Sequence, residues 1–348
     1  MIPPVKLDKH TVGPAHRPLI IAEACVNHQG DPEHAKRMVH VAHAMGADVI
    51  KFQIHLPERE MLRAVPHSAN FEEPLWDILE KTHLSVETHR ALKQLCDQLG
   101  ITYLCTPFSR EAADILDELG VAAFKTGSGE LTNLPLQEHI ARKGKPMIVS
   151  TGMSTFEEVE ETVNLIKGIG TPLVLTHCVS AYPAPYRITN LRMIQRYQER
   201  FQVPVGLSDH SRGIYTALGA AALGACAIEK HFTLDRQQKG PDHPVSIEPH
   251  ELAELVKGAD AIFQALGDER KIFKEEEQIV AWARESVVSE VPIQKGRVIA
   301  EGMVWVKRPS PGPQGIPAKA LRRVIGAVAR RDIPKDSQLQ WTDVELKG

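Results

Sequence analysis

Cysteine is scarce. The five residues Cys25, Cys96, Cys105, Cys178 and Cys226 are odd in number, scattered and without a CxxC pair, which argues against a disulfide framework or a zinc knuckle and suits a reducing, cytoplasmic setting. An excess of one charge is also missing. Forty-one basic residues face 44 acidic ones, a formal net charge of −3, which argues against a general nucleic-acid binder. Long apolar runs are lacking as well. The longest uncharged stretch, Gly213 to Ile228, is rich in alanine and glycine and shorter than the ~18 residues a spanning helix needs. Met1 to Arg17 carries prolines, charges and histidines but no apolar stretch of signal-peptide type, and no membrane segment is expected. Neither GxGxxG nor HExxH occurs.

What is present is globular in composition, 43% hydrophobic and 24% charged over 348 residues, enough for one large domain plus a small one or for two of ordinary size. The near-even charge hides a split. From Val287 onward 11 basic residues face 6 acidic ones, a net of +5 that leaves −8 for the rest. A basic tail follows an acidic body.

A short apolar run that ends in a polar cluster and leads into an amphipathic stretch recurs eight times. The runs are Leu19–Ala22, Val49–Ile50, Tyr103–Cys105, Ala122–Phe124, Met147–Val149, Leu173–Leu175, Val203–Leu207 and Ala227–Ile228. Between them, Ala35, Met38, Val39, Ala42 and Met45 form one helix face, Ala91, Leu92, Leu95 and Leu99 another, and Ser154-Thr155-Phe156-Glu157 reads as a capping box. Gly46, Gly100, Gly120 and Gly144 sit where helices should stop. This pattern predicts an α/β fold, a (β/α)8 TIM barrel over 1–267 with its site at the carboxyl ends of the strands. A doubly wound sheet would alternate in the same way, but would be expected to carry a phosphate-binding glycine fingerprint. After a charged, helical linker over 268–286, the segment 287–348 repeats at an offset of 40: Val288 with Val328, Ile293 with Ile333, Lys295 with Lys335, Ile299 with Leu339 and Val304 with Val344. Two similar β-rich halves are expected, joined by an irregular loop at Pro309 to Pro317 with four prolines and two glycines.

Lys51 and Lys125 end strands two and four, where an unpartnered cation would be costly, and an anion is the natural partner. Ser128, Ser150, Ser208 and the amides of Gly127 and Gly129 would complete a phosphate or carboxylate cradle. The alternative is internal pairing with Glu23, Glu130 or Glu229. His210 and His231 end the adjacent strands seven and eight and suit a divalent transition metal; satisfied histidines or metal-free acid/base residues fit the spacing equally. Glu23 and Glu130 are placed for acid/base work or for salt bridges. Cys178 as a nucleophile is disfavoured, because its neighbour His177 would point to the opposite strand face. Trp282, Trp305 and Trp341 are expected in small-domain or interface cores.

The runs Ile21-Ala22-Glu23, Asn27-His28-Gln29-Gly30, Lys51-Phe52-Gln53, Thr106-Pro107-Phe108, Lys125-Thr126-Gly127-Ser128-Gly129-Glu130, Ser150-Thr151-Gly152-Met153, Tyr182-Pro183, Gly206-Leu207-Ser208-Asp209-His210, Glu229-Lys230-His231-Phe232-Thr233-Leu234-Asp235 and Gly240-Pro241-Asp242-His243 together resemble the sialic acid synthase family. Val306-Lys307-Arg308-Pro309 and its surroundings resemble that family's small β-rich antifreeze-like (SAF, β-clip) domain. The resemblance implies an enzyme that condenses phosphoenolpyruvate with an N-acetylmannosamine-type sugar to a nine-carbon sialic acid and phosphate. The acceptor is an N-acylated amino sugar: N-acetylmannosamine, its 6-phosphate, or a diacetamido-trideoxyhexose of legionaminic or pseudaminic acid synthesis. By the same resemblance, Lys51, Lys125, Ser128, Ser150 and Ser208 would hold phosphoenolpyruvate, and Glu23 would be the acid/base residue. Gln53, Glu130, Tyr182 and Asp242 would face the sugar. His210 and His231 would bind a divalent metal such as Mn2+, with Mg2+ or Co2+ as alternatives. A domain-swapped homodimer would bring Arg308 of one chain to the sugar of the other. Two departures stand out, Ser180 and Gln29, where many bacterial members have asparagine. Another phosphoenolpyruvate aldol synthase of the keto-deoxy sugar acid type would not explain the appended repeat. An ice- or carbohydrate-binding module would not explain the polar barrel mouth.

Overall fold

Apolar and polar residues alternate along each predicted strand, and in a barrel that alternation decides which side chains point inward. The computed structural model describes residues 2–64 and 73–346. The chain forms two compact units, Met1–Gly267 and Asp268–Gly348. The first opens with an antiparallel hairpin, β1 (Val5–Leu7) and β2 (His10–Val12). Eight parallel strands follow: β3 (Leu19–Glu23), β4 (Val49–Ile54), β5 (Thr102–Pro107), β6 (Phe124–Thr126), β7 (Met147–Ser150), β8 (Leu173–Cys178), β9 (Val205–Asp209) and β10 (Ala227–His231). They pair in the order β5-β4-β3-β10-β9-β8-β7-β6, and β6 lies beside β5 to close the ring. The fold is a TIM barrel with helices outside. All eight expected strands are present, and each runs one to four residues further toward its carboxyl end than its apolar run.

Inward-facing Leu19, Ile21, Val49, Leu104, Ala123, Ile148, Val174 and Ala227 fill the amino-terminal half of the barrel together with Val5, Leu7 and Val12 of the hairpin. The hairpin is therefore an apolar plug, and the opposite end is left to polar side chains. Outward-facing Ile20, Ala22, Ile50 and Phe52 join the helix faces in the larger core.

The helix Pro32–Ala44 shows how local chemistry sets these elements. Asp31 caps it by accepting from Glu33 N at 2.8 Å, Pro32 occupies the first turn, and Ala35, Met38, Val39 and Ala42 face inward. Gly46 follows at φ +84°, and Gly100, Gly120 and Gly144 share the left-handed conformation after their own helices. In the helix Val86–Leu99 the fully buried face is His89, Leu92 and Cys96, with Leu95 and Leu99 at its edge. His89 Nδ1 meets Tyr103 Oη at 2.8 Å, which lets a histidine take a core position. The capping box after β7 is shifted by one residue from its expected position. Thr155 is the cap and Glu158 its reciprocal partner, because Ser154 Oγ is engaged with Gly152 O.

In the second unit, helix is confined to 274–283 within the expected 268–286 linker, and β11 (Ser286–Ser289) begins directly after it. β11 pairs with β12 (Val304–Lys307), and β13 (Val328–Ala329) with β14 (Val344–Glu345). The repeat is visible in the backbone. Ile293 pairs with its own equivalent Ile333, and the Val288–Gln338 and Val298–Val328 bridges are images of each other at the offset of 40. The equivalent turn residues Gly296 and Asp336 both take positive φ. Val287, Ile293, Ile299 and Val304 share one small core with Ala327, Ile333, Leu339 and Val344. Trp341 packs at its edge, but Trp282 and Trp305 are each 56% exposed and join no core among the described residues.

Candidate active site

The strand extensions matter because a strand that continues past its apolar run keeps presenting every second residue to the barrel axis. In β3 that residue is Glu23, in β4 Lys51 and Gln53, in β7 Ser150, in β9 Ser208, and in β10 Glu229 and His231; Lys125 is inward on β6. These side chains line one cavity of about 500 Å³ at the carboxyl ends of the strands, together with Ser128, Glu130, Tyr182, His210 and Asp242 from the following loops. Every candidate residue of the barrel lies there. Arg308 belongs to the second unit, where Nε donates to Ala283 O at 3.1 Å and the guanidinium lies 5.5 Å from the Trp282 ring centroid.

The floor of the cavity is a buried charge cluster. Lys51 Nζ lies 2.9 Å from Glu23 Oε2 and 3.3 Å from Glu229 Oε1, and donates to Thr106 Oγ1 at 3.2 Å. Lys125 Nζ donates to Ser150 Oγ at 2.6 Å and to Thr126 O at 2.9 Å, with Glu229 Oε2 at 3.9 Å. Internal pairing and a cavity-facing position thus coexist: the lysines balance carboxylates and still line the pocket. Ser208 Oγ donates to Glu229 Oε1 at 3.2 Å, and Ser128 Oγ accepts from Gly152 N at 3.0 Å. A Cβ on Gly152 would come within 2.6 Å of that hydroxyl and 2.3 Å of Ser180 Oγ, so only glycine lets this loop close over the serines.

Two carboxylates compete for one lysine, and their environments separate them. Burial would raise Glu229, but Lys125 and Lys51 on either side outweigh it and hold the carboxyl below its ordinary value. Burial dominates at Glu23, which is pushed up to about 7 against the pull of Lys51. Lys51 stays charged: burial opposes the charge, and Glu229 and Glu23 more than restore it. Lys125, deeper and more weakly paired, is lowered by burial. Glu23 is the member of the cluster able to exchange a proton near neutrality. It is oriented by a chain of contacts: Gln53 Nε2 donates to Glu23 Oε1 at 2.8 Å, His55 Nε2 donates to Gln53 Oε1 at 3.0 Å, and His55 Nδ1 lies 2.9 Å from Glu60 Oε1. Glu130, without a lysine partner, is also raised to about 7 by burial.

Opposite the lysines, the His210 and His231 rings lie 5.2 Å apart between centroids, with the Tyr182 ring 4.2 Å from His210. His231 Nδ1 is buried without a hydrogen-bond partner. His210 directs Nδ1 to Val179 O at 2.9 Å, which leaves its Nε2 lone pair for a ligand. Burial and the neighbouring His210 keep His231 well below the ordinary histidine range, hence neutral. An unpartnered buried nitrogen beside an oriented imidazole fits a divalent cation. His177 points away from the cavity, to Thr189 O at 2.7 Å, so Cys178 has no sequence neighbour as a base. Its sulfur lies 3.8 Å from His210 Nδ1 instead.

Several cavity residues escaped the sequence reading as site members. Glu229 and His55 could have been found by period-2 spacing, from His231 and from Lys51 and Gln53; Glu60 and Phe108 carry no local signal. Of the two departures, Ser180 lines the cavity. Gln29 does not; its Nε2 donates to Lys239 O at 3.0 Å and tethers the loop after β10.

The NeuB family profile matches residues 38–271, and the SAF domain profile residues 284–345. The N,N'-diacetyllegionaminic acid synthase of Campylobacter jejuni is 39% identical, over 92% of this chain and 98% of its own length. The human N-acetylneuraminate-9-phosphate synthase is 35% identical, over 97% and 95%. Among solved structures, the N-acetylneuraminic acid (sialic acid) synthetase of Leptospira borgpetersenii, in complex with citrate, superposes with a TM-score of 0.73 at 33% identity, over 80% of this chain and 96% of that one.

Proposed function

The chain belongs to the NeuB family, a family of sugar-acid synthases, and we propose that it condenses phosphoenolpyruvate with an N-acetylmannosamine-type sugar to give a nine-carbon sialic acid and phosphate. One observation carries this reading: two buried lysines, the hydroxyls of Ser128, Ser150 and Ser208, and the paired imidazoles of His210 and His231 surround a single cavity, matching an enol-phosphate at one end and a carbonyl oxygen at the other. Lys51 and Lys125 hold the anionic groups of phosphoenolpyruvate, with Ser128, Ser150 and Ser208 as hydroxyl partners. Gln53, Glu130, Tyr182 and Asp242 face the open-chain sugar.

Carbon 3 of the enol-phosphate attacks the aldehyde carbon, the aldehyde oxygen takes up a proton, and carbon 2 becomes cationic. Water adds to carbon 2, and Glu23, poised near 7, accepts its proton. The C2–O bond to phosphate then breaks, and phosphate leaves into the lysine and serine cradle. His210 and His231 would hold a divalent cation, Mn2+ first and Mg2+ or Co2+ as alternatives, which supplies Lewis-acid polarisation of the aldehyde oxygen. The remaining partner is a second copy of the chain in a domain-swapped homodimer, whose Arg308 would reach the sugar with several fixed donors; a reducing cytoplasm suits the free cysteines.

The identity of the acceptor rests on a few side chains. The 39% identical C. jejuni relative is named for N,N'-diacetyllegionaminic acid, which makes a diacetamido-trideoxyhexose the second acceptor. Phosphate release from phosphoenolpyruvate is measured with N-acetylmannosamine, its 6-phosphate and the diacetamido-trideoxyhexoses. Release that depends on one of these sugars supports the proposal, and release with none of them contradicts it.

A further inference from the structure

Three adjacent strands in the order β9-β10-β3 bring more than two histidines to one place. Cys25 follows β3 by two residues, His231 ends β10, and Asp242 lies in the loop after β10. One ligand-type atom from each lies within 4.8 Å of the other two. His210, directly after β9, stands against the same His231 ring, and His231 Nδ1 is a buried nitrogen with no partner. Cys25 has a further peculiarity. Its φ is +45°, in the left-handed region that favours glycine and strains a residue with a Cβ. The side chain is buried beside Val26 and Leu79, so this conformation turns a thiol inward among nitrogen and oxygen donors.

We infer that Cys25 and Asp242 bind the metal together with His231, giving one sulfur, one nitrogen and one oxygen donor, with His210 against the His231 ring but outside that three-residue group. The inference rests on the metal reading above, changes its chemistry and moves Asp242 from the sugar to the metal. A thiolate favours zinc, cobalt or ferrous iron over manganese and magnesium, which prefer oxygen donors. Binding converts the Cys25 thiol to thiolate and releases its proton to solvent.

The test uses the metal-stripped full-length protein without substrate, titrated with Co2+ and followed by absorbance and calorimetry. The wild type is expected to show a near-ultraviolet sulfur-to-cobalt charge-transfer band and proton release on binding. Cys25→Gly, which suits the positive φ and should fold at least as well, should lose the band and bind cobalt at least tenfold more weakly. Asp242→Asn should weaken binding and keep the band, as should Cys178→Ser keep it with unchanged affinity. Cobalt binding that needs His210 and His231 but shows no charge-transfer band overturns the thiolate site and leaves the two-histidine site standing. A band lost in Cys178→Ser and kept in Cys25→Gly also overturns it. If wild type binds no cobalt, the metal reading itself fails.

Discussion

Replacing Lys51 with methionine keeps most of the buried stem and deletes the charge at the centre of the cavity. In the wild type its Nζ, in a residue only 3% exposed, serves Glu23 at 2.9 Å, Glu229 at 3.3 Å and Thr106 at 3.2 Å. Without it the two carboxylates keep only Lys125, 3.9 Å from Glu229. Breaking a buried pair in this way costs about 3–5 kcal/mol unless one carboxyl takes a proton. The effect on phosphoenolpyruvate is separate. A lost charge-assisted contact of about 1.5–3 kcal/mol raises Kd roughly 10- to 150-fold. At a ligand concentration 100 times the wild-type Kd, ligand stabilisation is about 2.7 kcal/mol for wild type; by the same relation it falls to about 1.4–0.3 kcal/mol for the variant. Thermal unfolding with and without phosphoenolpyruvate, backed by calorimetric titration, reads both effects. Lys125→Ala should behave alike, since its Nζ is aimed by Ser150 Oγ and Thr126 O. A Lys51→Met protein that keeps the full phosphoenolpyruvate shift would reduce the lysine to an internal counter-ion and refute its role in the cradle.

Glu130→Gln should stabilise the ligand-free protein more at pH 8 than at pH 5. Burial raises this carboxyl from 4.5 to about 7, so the folded state binds the extra proton and loses stability as pH rises between those values, by about 3 kcal/mol. An equal effect of the substitution at both pH values in thermal unfolding would contradict this. Asp343→Asn should destabilise the small unit more at pH 7 than at pH 3. Burial works against this carboxylate, but the two-pronged contact from Arg331, at 2.5 and 2.9 Å, prevails and lowers it below 3.8. The stabilisation is present above that value and lost as pH falls through the folded one. Because Arg331 is half exposed, about 1 kcal/mol is expected, read by hydrogen exchange of small-unit amides in the full chain; a loss of equal size at pH 3 would refute it. Arg308→Ala and His231→Ala chains, each inactive alone, should regain activity when refolded together if the arginine acts across a dimer. No activity in proven mixed dimers would reject the exchange.

The strands were legible because apolar runs mark where a barrel strand begins, but those runs stop before the strand does. Glu23, Ser208 and His231 lie within strands, and it is their inward direction that gathers them. Period-2 spacing had the information to add Glu229, which the sequence shows only as a lysine's counter-charge. The hairpin at Val5–Val12 was missed because three apolar residues among prolines and charges look like a loop until the barrel above them supplies a core to plug. Cys25 keeps the period-2 spacing of Ile21 and Glu23, but it lies past the apolar run and past β3 itself, at a positive φ that the sequence does not announce. Of the small-domain or interface cores expected for Trp282 and Trp305, the small-domain core is not where they lie. Large aromatics suggest a core, but a unit this small fills its core with aliphatic repeat partners and leaves both rings exposed.

The most direct measurement is mass analysis of the products formed from phosphoenolpyruvate labelled with 18O at the C2–O–P bridge, in the presence of the accepted sugar. The predicted result is a nine-carbon sugar acid whose mass equals sugar plus phosphoenolpyruvate plus water minus phosphoric acid, with the label in the released phosphate, as cleavage of the C2–O bond requires. Pyruvate appearing without a sugar adduct, or label retained in the sugar acid, would contradict condensation by the steps assigned to this cavity.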